Sequence, residues 1–229
     1  MARTNLEMIG IVATRLGPLI DRVVFLGGAV VGLLIEDPAS EPPRSTDDVD
    51  LIVDAASYRA FSVGFANRLR ELGFETPMGA RIGRWTVDGV PVDVMPIGEE
   101  ALGFGNRWYR AAFETAEERR ISGDTRLRLV RAPHFVATKL EALKSRGGGS
   151  YVGSQDLEDI VAVIDGRPTL EEEIRAADDD LRGYLADETR RLLAEPAFED
   201  ALPGYLRGDP ASQARLPYVV EVLRRVAVG

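Results

Sequence analysis

The feature that most restricts how this chain can fold is Asp88-Gly89, set between two alternating runs in the stretch Arg81 to Met95, which reads as a hairpin. An Asp-Gly pair in that setting is the strongest short-range hairpin signal, because the favoured two-residue turn needs positive φ at both central positions. Such a turn fixes a register in which Val87 faces Val90, Trp85 faces Val92 and Arg84 faces Asp93. Asp93 then lies inside an otherwise apolar strand, where an unpaired carboxylate is very costly. It is either a structural cross-strand partner of Arg84, or a metal ligand or general base with Arg84 close to a bound phosphate. The two roles are compatible.

A second acidic strand reads Asp48-Val49-Asp50-Leu51-Ile52-Val53. Residues two apart on a strand share a face about 6.5–7 Å apart, and carboxylates held that close repel unless a cation or proton lies between them. Taken alone, the pair also reads as a strand entry whose aspartates cap and solvate the loop end. Composition narrows the cation. The chain has no cysteine and one histidine, His134, so thiolate and multi-histidine sites are excluded and an ion held by oxygen, magnesium or manganese, is expected. Upstream, the apolar run Val23–Leu26 stops at Gly27-Gly28 and a short buried helix over 29–35 follows. Glycines at a strand-to-helix junction let backbone N–H groups meet a phosphate, although a Gly-Gly pair also serves tight packing alone.

Apolar spacing predicts helices over 5–19, about 57–72, 133–146 and 155–164, and one long helix carrying the stripe Leu170, Ile174, Ala177, Leu181 and Leu185. Residues 126–130 alternate as a strand, the proline-rich stretch ahead of Asp48 is a loop, and Gly147-Gly148-Gly149 ends a helix. Strands first and helices afterwards imply an α+β fold with a core over 1–131 and a helical C-terminal subdomain over 132–229 packed on it. Of 28 basic residues only Lys139 and Lys144 are lysine. Lys139 falls on the inward stripe of its helix, where it must find a partner such as a phosphate or snorkel out. Asp156 opens the next helix, a position the macrodipole alone favours for an acid.

A net charge of −9 argues against a protein that coats nucleic acid through a basic face, while leaving room for a local contact. Arg107, Arg110, Arg119, Arg120, Arg126, Arg128 and Arg131, with Trp108 and Tyr109, are read mainly as a solvated helix face; the alternative is an RNA contact by charge and stacking. His134, at a helix start, is read as structural. The longest apolar stretch, Val23 to Ile35, is too short to span a bilayer, and the N-terminus lacks the order of a signal peptide. A soluble cytoplasmic protein without a membrane partner is expected.

The order Gly27-Gly28, then Arg44-Ser45-Thr46-Asp47-Asp48-Val49-Asp50-Leu51, then Asp93 resembles the nucleotidyltransferase superfamily with the DNA polymerase β-like fold. The segment R-x-T-x-D-[IV]-D-L, and the block from Phe135 to Asp165 with a lysine helix followed by an aspartate-bearing helix, resemble the AbiEii/MenT-like toxin branch. The matching motifs cover roughly residues 23–165. The resemblance implies a mixed sheet with flanking helices and transfer of a nucleoside monophosphate from a nucleoside triphosphate to a hydroxyl, with Mg2+ or Mn2+. It implies that Asp48 and Asp50 hold the ion with the nucleotide's phosphates and that Asp93 completes the site and helps activate the acceptor. Gly27 and Gly28 would cradle phosphate, Arg44 and Thr46 would support the site, Lys139 would contact phosphate, and Asp156 would match the second-helix aspartate. The implied acceptor is an RNA or tRNA 3′ end, and the implied partner a cognate antitoxin protein. A small-molecule, aminoglycoside-type nucleotidyltransferase and a catalytically silent binding protein that keeps the nucleotidyltransferase fold are the alternatives.

Overall fold

The structure is a computed structural model that describes residues 3–55, 60–98, 105–123, 125–145 and 151–229. It groups into two compact units, one of Met1–Val30 with Ser45–Arg131 and one of Val31–Arg44 with Ala132–Gly229. The strands are β1 (Val23–Leu26), β2 (Val49–Val53), β3 (Arg84–Val87), β4 (Val90–Pro96), β5 (Glu117–Ser122) and β6 (Thr125–Leu129). The helices are α1 (Asn5–Leu16), α2 (Val31–Leu34), α3 (Ala66–Glu71), α4 (Tyr109–Glu114), α5 (Ala132–Ser145), α6 (Gln155–Gly166), α7 (Leu170–Arg175), α8 (Asp179–Leu193), α9 (Pro196–Ala201), α10 (Pro210–Gln213) and α11 (Leu216–Val228). The class is α+β, a mixed sheet with flanking helices.

All six strands form one sheet in the first unit, in the order β3-β4-β2-β1-β6-β5. β1 runs antiparallel to β2 and parallel to β6, and β2 runs parallel to β4. The Asp88-Gly89 turn forms with φ of 47° and 74°. It sets the expected register, with Val87 opposite Val90, Trp85 opposite Val92 and Arg84 opposite Asp93. β1 is buried along its whole length. Helix α1 starts with a capping box between Thr4 and Glu7, buries Met8, Ile9, Val12 and Leu16, and lies across β2, β4 and β6. β5 departs from the reading of its arginines as a helix face. Glu117–Ser122 is an edge strand, made by pairing with β6 rather than by any apolar alternation of its own.

The second unit is helical. Its stripe from Leu170 to Leu185 does not form one helix. α7 ends at Arg175, and the Asp178 side chain accepts from the Leu181 N–H to start α8, since an aspartate at that position satisfies a free donor better than continued helix does. Leu170, Ile174, Leu181 and Leu185 are all buried nonetheless, so the stripe was real and the continuity was not. The helix expected over 57–72 is helical from Ala60 onward; residues 57–59 and the glycines at 147–149 lie outside the described residues. The segment 35–44 is fastened to the C-terminal end of α6. The Glu36 and Asp37 N–H groups donate to the Gly166 carbonyl (2.7 and 2.9 Å). Arg215 donates to Asp165 Oδ1 (2.6 Å) and Asp37 Oδ2 (2.7 Å). Among the described residues no helix is long and apolar enough to cross a membrane.

Candidate active site

In the first unit the register decides the site. Asp50 of β2 is the Cα partner of Asp93 on parallel β4, so both carboxylates leave the same face of the sheet from strands about 4.8 Å apart. Asp48, two residues before Asp50, belongs to that face as well. Arg84 joins it from β3 as the direct partner of Asp93. The intervening residues Val49, Leu51, Val92 and Trp85 point the other way and are buried, which is why the strands form despite their acids.

Asp93 is 5% exposed and draws two guanidinium groups. Arg84 Nη2 donates to Asp93 Oδ2 (2.9 Å) and to Asp48 Oδ2 (3.0 Å), so one arginine bridges two of the three acids. Arg81, from the loop ahead of β3, donates to the same Asp93 Oδ2. Asp93 Oδ1 lies 2.6 Å from Arg84 Nε yet accepts no aligned hydrogen bond. Burial pushes the Asp93 carboxyl above its ordinary value of 3.8; Arg81 and Arg84 oppose the shift and the Asp48 charge adds to it. Among the described residues no three acidic or histidine side chains are grouped to hold a metal ion as they stand. The charges of Asp48 and Asp93 are met by arginine.

Gly27 has φ 75°, and a Cβ built there would fall 1.8 Å from Asp50 Oδ2 and 2.6 Å from its Cγ. The glycine therefore gives the Asp50 carboxylate room against the end of β1, a closer fit than a simple turn requires. Gly28 follows in a short 3-10 turn, Gly28–Val30, and is buried. Thr46 is tied in by its N–H to Asn5 Oδ1 (3.1 Å) and by its hydroxyl to the Asp48 carbonyl (3.1 Å), which fixes the approach to the acidic strand.

The remaining sequence-selected residues come together in the second unit. Lys139 of α5 is 13% exposed at its side chain, in keeping with its inward position, and its ammonium donates to Asp159 Oδ2 (2.6 Å) and Asp156 Oδ1 (3.3 Å) of α6. Arg44 donates to Asp159 through Nε (2.9 Å) and Nη2 (3.1 Å). Burial alone would lower the Arg44 pKa, but the Asp159 hydrogen bond and charge outweigh it and raise it. Asp156 is thus more than an acid at a helix start. It is buried and paired. Asp159, which sequence reasoning passed over, joins both cations. Its spacing of three from Asp156 put the two acids on one helix face, and that was the available signal. Arg81 gave none.

Of the two aromatic residues considered beside the arginines, one is out of reach of a stacking partner and the other is half-buried. Trp108 is buried at 3% exposure. Arg119 pairs with Glu117, Arg126 with Glu118, Arg131 with Glu117, and Arg110 with Glu114, while Arg128 donates to the Phe113 carbonyl. His134 is buried, consistent with a structural place.

No protein-family model and no curated protein sequence matches the chain. Among solved structures it is similar to an antigenic nucleotidyltransferase-like protein from Paracoccidioides brasiliensis, at 20% identity over 86% of this chain and 92% of that one, TM-score 0.49. It is also similar to JHP933 from Helicobacter pylori, at 9% identity over 100% of this chain and 94% of that one, TM-score 0.49. At these levels the functional reading rests on the site's own geometry.

Proposed function

We propose that the chain is a nucleotidyltransferase that passes a nucleoside monophosphate from a nucleoside triphosphate to a hydroxyl acceptor. The observation that carries this reading is the shared face of Asp48, Asp50 and Asp93, with Gly27 making room for the Asp50 carboxylate. A purely structural explanation accounts for Arg84 bridging Asp48 and Asp93 but supplies no reason to set a third acid, Asp50, directly beside Asp93 at the cost of their mutual repulsion.

The donor set fits a hard divalent ion: every side chain is a carboxylate, and Asp93 Oδ1 is a buried acceptor without an aligned donor. Asp48, Asp50 and Asp93 would hold magnesium or manganese, which when bound would neutralise charge on the phosphate oxygens. Asp93, directly beside Asp50 on the same face of the sheet, is the carboxylate assigned to take the proton of the attacking hydroxyl. That oxygen attacks the α-phosphorus, the bond to the bridging oxygen breaks, and pyrophosphate leaves. Arg84 supplies positive charge beside the acids as negative charge builds on the phosphates. Backbone at Gly27 and Gly28 lets a phosphate approach without a side chain in the way.

The family resemblance assigns Lys139 a phosphate contact and Arg44 and Asp156 supporting roles, which the meeting of these three residues with Asp159 in the second unit supports; an RNA 3′ end as acceptor with a cognate antitoxin as partner belongs to the same reading. The test is incubation of the purified chain with each α-labelled nucleoside triphosphate and Mg2+, in the presence of total RNA, tRNA or aminoglycosides. Label in the RNA that is lost in Asp48→Asn, Asp93→Asn and Lys139→Ala supports the full reading. Label in the small molecule moves the acceptor. Absence of both label and magnesium-dependent nucleotide binding by calorimetry overturns it in favour of a silent binding protein.

A further inference from the structure

The loop between Glu75 and Arg84 is closed at its base by the Glu75–Thr86 backbone bridge and by the Val94 N–H donating to the Gly83 carbonyl (2.8 Å). Within it, Pro77–Ala80 and Arg81–Arg84 are tight turns, and Gly79 and Gly83 take φ of 73° and 91°. Its apolar residues are not used in the core: Met78 is 103% exposed and Ile82 56%. A segment with so little buried surface opens at small cost, and its charged contact with the sheet face is Arg81 on Asp93. The two ends of that contact differ sharply, the Arg81 side chain being 63% exposed and that of Asp93 7%. Arg84 is placed differently, since it sits in a strand and spans two acids.

The acids on this face cannot serve a divalent ion while both guanidinium groups hold them, and no ready ion site exists among them as they stand. The loop arginine is the partner that can leave.

Resting on the nucleotidyltransferase reading, we propose that Arg81 is an exchangeable counter-ion of the acidic face: it neutralises Asp93 before substrate binds, yields the carboxylate to the incoming divalent ion, and then engages the triphosphate that arrives with it. The same guanidinium suits both partners, because carboxylate and phosphate offer it similar paired oxygen acceptors. The loop's exposure lets the change occur without disturbing β3 or β4.

The exchange makes predictions of opposite sign for the two ligands. Mn2+ binding to the full-length protein, followed by loss of the free-ion electron paramagnetic resonance signal, is expected to be roughly three- to tenfold tighter in Arg81→Gln than in wild type, because a solvent-exposed competing cation is removed. Binding of a fluorescent triphosphate analogue with saturating Mn2+ is expected to be weaker by a similar factor. Arg81→Lys, which keeps charge but not the fork, should fall between them, and thermal melts of all three proteins should coincide. Unchanged or weaker Mn2+ binding in Arg81→Gln, with nucleotide binding intact, overturns the exchange and leaves the nucleotidyltransferase reading standing. Absence of Mn2+ binding in every protein overturns both.

Discussion

Replacement of Gly27 by alanine tests the geometry at its tightest point. A Cβ there would sit 1.8 Å from Asp50 Oδ2, 2.6 Å from Cγ and 2.8 Å from Cβ, all inside any tolerable contact. The backbone adds its own cost, since φ is 75° and an L-residue in the left-handed region costs roughly 1–2 kcal/mol. Asp50 must also turn away, and a side chain forced from its rotamer costs about 0.5–1.5 kcal/mol. The sum is about 1.5–3.5 kcal/mol, which corresponds to roughly 3–14 °C in Tm for a chain of this size. Scanning calorimetry measures it, and Mn2+ binding should weaken in the same variant because Asp50 has been moved. The contact can be separated from the backbone strain by a cycle with Asp50→Ala, which removes the two closest atoms. Gly27→Ala should then cost about 0.5–1.5 kcal/mol less in the Asp50→Ala background than in wild type. Additive losses, or a Gly27→Ala protein as stable as wild type, would show that the glycine is not shaped around the carboxylate and would remove the main support for a built site.

Other sites give sharper contrasts. Gly10 lies inside α1 with nothing within 4 Å of its built Cβ, so Gly10→Ala should raise stability by about 0.5–1 kcal/mol in urea unfolding. Asp159 is 2% exposed and joins Arg44 to Lys139; Asp159→Ala leaves both cations short of a partner and should cost about 3–5 kcal/mol, with a loss below 1 kcal/mol speaking against a coupled network. Asp37 is held below its ordinary value of 3.8 by the Ala39 N–H and then by Arg215. A carboxylate shifted that way contributes stability that is full above pH 3.8 and is lost as pH falls through the lower folded value. The Tm advantage of wild type over Asp37→Asn should therefore shrink on acidification below pH 4, and an advantage that grows would contradict the assignment.

What the sequence disclosed divides along a physical line. The hairpin was legible because Asp88-Gly89 sets its register from two residues, and that register alone placed Arg84 opposite Asp93. The acidic face was legible because Asp50 and Asp93 interrupt apolar strands, a conflict visible without knowing the neighbours. The parallel pairing that puts Asp50 directly beside Asp93 was not legible, because it joins strands distant in sequence through contacts with no local signature. β5 was missed for a related reason. Glu-Glu-Arg-Arg-Ile-Ser has no strand pattern, and its pairing with β6 makes it one.

The break between α7 and α8 shows the opposite error, a periodicity trusted across a capping aspartate that the sequence displayed at Asp178. Both errors follow from what periodicity measures. It reports which residues will be buried, and Leu170 through Leu185 were, but it does not report whether the backbone between them stays hydrogen-bonded. The arginines around the acids follow the same logic. A carboxylate in an apolar strand announces a need for positive charge, whereas the group that meets the need can come from an ordinary exposed loop. Arg81 looks unremarkable at every sequence distance, and only the folded chain assigns it to Asp93. The conflict that marks a site is therefore written locally, while its resolution is written in the tertiary structure.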